Sequence, residues 1–173
     1  MTVVGEADVL IGAALWLWNR GVPPLRVSIA VGSVNGKFAD RARVNAAFKA
    51  AGVPEGWSSR SDGADLVAAN SSELWEVECK GAGAGVSATQ RNNFDRALAS
   101  VVSHYGSNSP EASAMPAAAR YLGLALPSTP NYMRELTRRV RVPLRSRLNL
   151  WILLFDLESQ TVTAVGPDQE YPQ

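Results

Sequence analysis

Two acidic side chains and a lysine carry the strongest chemical signal in this sequence. Residues 74–80 (LWEVECK) alternate apolar and charged side chains from Trp75 onward. A strand sends successive side chains to opposite faces, so Glu76, Glu78 and Lys80 share one face. Trp75, Val77 and Cys79 share the other, which is the core side. Glu78 and Lys80 then lie roughly 7 Å apart. Thirteen positions before Glu78, Asp65 opens a second short strand, 65–69 (DLVAA). The polar connection Asn70-Ser71-Ser72 reads as a turn that makes the two strands hairpin partners. Such a hairpin lets Asp65 approach Glu78 at one end of the sheet. Two carboxylates close together repel, and are tolerated when a cation lies between them. A lysine beside them could orient or deprotonate a water, or neutralise charge on a phosphate. This is equipment for metal-assisted hydrolysis of a phosphodiester. The plainer alternative is that Glu76, Glu78 and Lys80 form the solvated outer face of a half-exposed strand.

Asp65 followed by Glu78-Cys79-Lys80 resembles the Asp…Glu-x-Lys signature of the PD-(D/E)xK nuclease superfamily. That group includes restriction endonucleases, Holliday-junction resolvases and RecB-like nucleases. The local texture is also similar: GADLVA sets the aspartate ahead of an apolar strand, and WEVECKG sets Glu-x-Lys at the end of the next. The resemblance covers residues 62 to about 105 and is looser as far as Val165. Ala64 stands where the family often has proline, and Asp62 is an alternative aspartate. The resemblance implies a restriction endonuclease-like fold and a Mg²⁺-dependent DNA endonuclease. Asp65 and Glu78 would bind Mg²⁺ or Mn²⁺, and Lys80 would position or activate the attacking water. It also offers two accessory residues. Glu6 matches a glutamate that completes the metal site from the first helix in resolvases; the alternative is a favourable charge at a helix N-terminus. Gln90 matches a catalytic glutamine in the helix after Glu-x-Lys; the alternative is a capping box opened by Ser87. A second class of function is a catalytically silent module of this fold that binds nucleic acid or a protein partner.

The elements that must position these residues follow from periodicity and punctuation. Residues 6–20 read as a helix, ended by Gly21 and Pro23-Pro24, and 25–31 as a strand followed by a turn at 32–36. Asp40 can cap a helix running to about Ala51. Residues 58–63 are loop chemistry. After the hairpin, a helix runs from Ser87 to about Tyr105, with a loop at 107–116. Residues 120–126 form a strand, 131 to about 140 an arginine-rich helix, 148–157 a central strand and 161–165 an edge strand. The pattern is one domain over 1–173, a mixed sheet flanked by helices, class α/β bordering on α+β.

Composition narrows the chemistry further. With 46% apolar and 19% charged residues, the 173-residue chain reads as globular rather than disordered. One cysteine permits no internal disulfide, and one cysteine with one histidine excludes the usual Cys/His zinc site. Any metal must be held by carboxylates, which favours a hard ion. The apolar run 9–18 is too short to span a bilayer and lacks a basic leader, so the expected compartment is cytoplasmic, with no membrane partner.

A net charge of +1 does not mark a nucleic-acid binder, so any basic surface is local. The dense stretch is Arg134, Arg138, Arg139, Arg141, Arg145 and Arg147, offset only by Glu135. Arg138, Arg139, Arg141 and Arg145 are the candidate clamp on a phosphate backbone; the alternative is a solvated helix face. The chain leaves little room for a target-recognition domain, so specificity would come from DNA structure, a homodimer, or a larger defence or repair complex. The run Gly83-Ala84-Gly85-Val86-Ser87-Ala88 fits a permissive G-x-G-x-x-A, but the charged strand before it argues against a dinucleotide site. A loop over the cleft suits it better. His104 falls on the helical face of Phe94 and Val101 and reads as structural. Cys79 reads as a core thiol. Trp57, alone of five tryptophans, lies in a loop and could stack on a ligand or partner.

Overall fold

Apolar runs bounded by glycine and proline become the strands of one sheet. The computed structural model describes residues 4–28, 37–59, 63–82, 87–107 and 109–172; at 37–40, 59 and 87–89 it describes the backbone alone. The strands are β1 (Pro24–Val27), β2 (Ser58–Ser59), β3 (Leu66–Ala69), β4 (Glu73–Cys79), β5 (Ala119–Pro127), β6 (Leu150–Asp156) and β7 (Thr161–Val165). They lie in the order β2-β1-β3-β4-β5-β6-β7. β3 and β4 form the expected antiparallel hairpin, with Leu66 opposite Val77 and Ala68 opposite Trp75. β4, β5 and β6 run parallel, and β6–β7 is a second antiparallel pair. β1 runs antiparallel to β3 and parallel to the two-residue β2.

The helices are α1 (Glu6–Asn19), α2 (Lys37–Ala50), α3 (Ser87–Ser103), α4 (Pro110–Ala114), α5 (Pro130–Arg139) and α6 (Val142–Leu148). Parallel strands need covered crossovers, and helices flank the sheet on both faces, which makes the fold α/β. One core joins α1 residues Val9, Ala13 and Leu17 to Trp75, Val77, Cys79 and Phe155. The other joins Phe94 and Val101 of α3 and Leu136 of α5 to Leu122, Leu124 and Ile152. A smaller cluster of Val67, Ala69 and Leu74 packs under Ala112, Met115 and Ala118. Among the described residues no helix is long and apolar enough to cross a membrane.

Several bounds differ from the sequence expectation. β1 ends at Val27, and the rest of the expected strand from Ile29, with the turn at 32–36, lies outside the described residues. α2 starts three residues ahead of Asp40. The stretch expected as loop, 107–116, contains α4, capped by Ser109 with Pro110 opening its first turn. α6 was not expected at all; it follows α5 across Val140 and Arg141. Both are shorter than the repeat over which helical periodicity can be counted.

Trp75 is the largest fully buried side chain. It stacks on Tyr121 at 4.7 Å and meets Trp16 edge-on at 5.7 Å. Trp75→Ala is therefore expected to lower unfolding free energy by about 3–5 kcal/mol, read as a fall in the urea midpoint. A loss below about 1 kcal/mol would show that this aromatic cluster does not anchor β4.

Candidate active site

The hairpin register brings the predicted acids together. Leu66 pairs with Val77, so Asp65 stands opposite Glu78, and directly opposite residues share a face. Asp65 Oδ2 accepts a hydrogen bond from the Cys79 backbone N–H at 2.8 Å. Its own carbonyl accepts from Ser28 N at 2.7 Å, which ties it to the end of β1. Burial and the neighbouring Glu78 charge push the Asp65 carboxyl up from 3.8 to about 7, against the Cys79 hydrogen bond and the Lys80 charge. Asp65 makes no ion pair among the described residues.

Glu78 is only 7% exposed, and Glu76 only 3%. The solvated outer face is thus corrected: α3, α4 and the segment after it cover this side of β4. Each of these buried glutamates has a basic partner. Glu76 accepts from Arg120 at 2.7 Å, and Glu78 Oε1 lies 2.7 Å from His104 Nε2. That hydrogen bond raises the His104 pKa, with burial opposing it. His104 was read from the sequence as a structural histidine. It sits one residue past the end of α3 and touches the site directly. The signal was its place on the helical face of Phe94 and Val101, since that face packs on the acidic side of β4.

Lys80 and Glu6 also meet. Lys80 Nζ donates to Glu6 Oε2 at 2.7 Å. Burial works against the Lys80 charge, but the Glu6 bond and the charges of Glu6, Asp65 and Glu78 leave its pKa raised. Gly81 makes this contact possible. A Cβ there would lie 2.6 Å from Glu6 N and 2.7 Å from Gly5 C. Only glycine lets the end of β4 press against the start of α1. Ala82 N donates to Val4 O at 2.8 Å, and Tyr132 donates to Gly81 O at 2.9 Å, locking the same junction.

Other predicted residues lie elsewhere or are differently engaged. Gln90 Oε1 accepts from Asn131 at 2.6 Å, beside Arg91 and Arg134, and makes no hydrogen bond to the acid–lysine set among the described residues. Arg145 is a correction. It is fully buried, donates to Gly166 O at 2.6 Å and to Gln169 O, and lies over the Tyr171 ring. A guanidinium so engaged offers nothing to a phosphate. Arg139 is exposed but pairs with Asp95 and Glu135. Arg138 and Arg141 are exposed and make no ion pair among the described residues. Cys79 is a buried core thiol, pushed up by burial. Asp62 and residues 83–86 lie outside the described residues.

Glu6, Asp65, Glu78, Lys80 and His104 thus form one electrostatic neighbourhood at the end of β3 and β4. Among the described residues, no group of three or more His, Cys, Asp or Glu side chains is placed to hold a metal ion. No protein-family model, curated protein or solved structure matches this chain.

Asp65 implies a pH dependence of stability. The folded chain keeps a proton to about pH 7 that the unfolded chain loses near 3.8. Stability from this group is therefore full below pH 3.8 and lost as pH rises through 7. Relative to the wild type, Asp65→Asn is expected to gain stability between pH 4 and 7, by up to about 4 kcal/mol. Urea midpoints across that range measure it. A difference that does not change with pH would place the Asp65 titration elsewhere.

Proposed function

We propose that the chain is a Mg²⁺- or Mn²⁺-dependent phosphodiesterase of the PD-(D/E)xK kind, acting on DNA. The observation that carries this reading is the bond from the Cys79 amide to Asp65. It fastens the isolated aspartate to the middle of Glu78-Cys79-Lys80. The mixed sheet flanked by helices is of the α/β class that this reading expects.

The donor chemistry fits a hard divalent ion. Among the described residues Asp65 is the acid of the cluster without an ion-pair partner, and repulsion from Glu78 helps keep it protonated near neutrality. An ion held by Asp65 and Glu78 would relieve that repulsion. Glu6 is the third acid in reach of the cluster, and would join once released from Lys80. Such an ion, when bound, supplies Lewis-acid polarisation of the phosphoryl oxygens and makes water acidic enough to attack at neutral pH. The chain's own residues do the rest. Lys80 Nζ holds a positive charge beside the two acids, where it would orient the attacking water or neutralise a phosphate oxygen. His104 fixes the rotamer of Glu78 through its 2.7 Å contact. Arg138 and Arg141 bind backbone phosphates without reading sequence. Target selection then falls to DNA structure, to a homodimer, or to a larger defence or repair complex.

One observation favours a second reading, a catalytically silent binding module. Glu78 and Lys80 are each satisfied by a side chain of the same protein, His104 and Glu6.

The two readings separate experimentally. Wild type should nick supercoiled plasmid in Mg²⁺ and not in EDTA. Lys80→Ala and Asp65→Ala should each slow nicking by at least about 100-fold. Mg²⁺ should raise the melting temperature of the wild type and not of Asp65→Ala. Equal nicking by all three proteins overturns the proposal. A wild type that binds DNA, ignores Mg²⁺ and cuts no duplex, single-stranded or branched substrate supports the silent module.

A further inference from the structure

An open cavity of about 550 Å³ lies beside the C-terminal half of α2, and none of its lining residues belongs to the acidic cluster. Arg41, Asn45, Phe48, Lys49, Glu55 and Trp57 line it. Its size falls within the range of ligand-binding clefts. The arrangement follows from helix geometry. Arg41, Asn45 and Lys49 are spaced four residues apart, so they form one stripe along α2, about 12 Å from first to last. All three are exposed, and neither cation makes an ion pair among the described residues. Phe48 is buried beside the stripe and meets Trp57 nearly edge-on, ring centroids 5.5 Å apart. That contact holds the indole against the helix while leaving it partly exposed. Gly52 and Gly56 contribute no side chains, and a Cβ on either would meet nothing within 4 Å.

We infer that this cavity is a stacking site for an unpaired nucleobase of single-stranded DNA, with Trp57 as the platform. Arg41 and Lys49 hold the flanking phosphates. Asn45, between them, offers a donor and an acceptor to a base edge. The chemistry is that of single-strand binding elsewhere: an aromatic face for the base and a cationic stripe for the backbone. A purely apolar partner would leave the cations unmatched, and a bare phosphate would leave the indole unused. Two cations against the single acid Glu55 favour an anionic ligand. Phe48, Val53 and Trp57 pack with the α1 side of the sheet, the face opposite Asp65 and Glu78, so this would be a contact separate from the acidic cluster. The choice of nucleic acid rests on the proposed nuclease reading. The inference deepens it by naming strands with unpaired bases as the preferred form.

The test uses the full chain in EDTA, so that nothing is cut, and fluorescence anisotropy of a labelled 20-nucleotide single strand. Trp57→Ala should weaken binding roughly 5- to 150-fold, and Trp57→Phe much less. An abasic strand of equal length should bind weakly and show no Trp57→Ala effect. Arg41→Ala/Lys49→Ala, at exposed positions that leave the core intact, should weaken binding and reduce the salt slope by about 1.4. Wild-type affinity in both Trp57→Ala and the double variant overturns the inference. So does a Trp57→Ala effect of equal size on the abasic strand, which would mark a structural tryptophan. Equal binding of polyglutamate, with the same dependence on Arg41 and Lys49 and none on Trp57, also overturns it in favour of an acidic protein partner. Strand binding that depends on Trp57, in a chain that cuts nothing in Mg²⁺, supports the inference while removing the nuclease reading. Mg²⁺-dependent cleavage with strand binding indifferent to Trp57, Arg41 and Lys49 does the reverse.

Discussion

The pairing of Leu66 with Val77 governs the acidic end of the sheet. It sets Asp65 opposite Glu78 and brings its carboxylate onto the Cys79 amide. A slip of one residue would turn Asp65 to the other face, among the side chains that pack on α1. Such a slip is opposed from both sides. Leu66, Ala68, Trp75 and Val77 fill the core under α1, while Val67, Ala69 and Leu74 fill the smaller cluster under Ala112 and Met115. A strand buried on both faces has no alternative register that leaves its apolar side chains out of water. The same double burial takes Glu76 and Glu78 out of solvent and makes their partners obligatory.

Charge on that buried face is matched almost pair by pair. Arg26 meets Glu111 at 3.1 Å, Glu76 meets Arg120, Glu78 meets His104, and Lys80 meets Glu6. A carboxylate stripped of water and left without a partner is costly, so for Glu76, Glu78 and Glu111 each partner is a structural requirement before it is anything else. Asp65 stands outside this scheme. Among the described residues its carboxylate accepts one backbone N–H and feels the Lys80 charge, and its affinity for protons rises nonetheless. The imbalance of the whole face is therefore concentrated at one oxygen pair. That makes Asp65 the point at which an added cation would change most.

The acid–lysine set was legible because strand alternation and a short polar turn determine which side chains can meet. Neither depends on distant parts of the chain. The partners of that set were less legible. His104 shares a helical face with Phe94 and Val101, and such a face is usually apolar core, so only the packing of α3 over β4 reveals its contact with Glu78. The cover over Leu74, at the start of the same face of β4 as Glu76 and Glu78, comes partly from α4, a five-residue helix that leaves no periodic trace. Arg145 failed for the same reason. Counting arginines gives a basic patch, but α6 places Arg145 three residues before Leu148, and both turn inward. Charge density in sequence says nothing about direction until the helix carrying it is known.

The two ion pairs at the site differ in how readily they can be exchanged. Glu78 and His104 side chains are 9% and 13% exposed, whereas Glu6 and Lys80 are 45% and 27% exposed. A half-exposed pair is worth about 1 kcal/mol or less, because water and salt compete for both partners. A buried pair is far harder to open, since each group would be left desolvated. An anion entering as the proposed reading requires would meet Lys80 before Glu78, and would displace Glu6 at small cost. That displacement would free a carboxylate beside Asp65 in the same event. In the proposed reading, anion arrival and cation binding would thus be coupled through one exchangeable contact, whose two halves Gly81 keeps within reach.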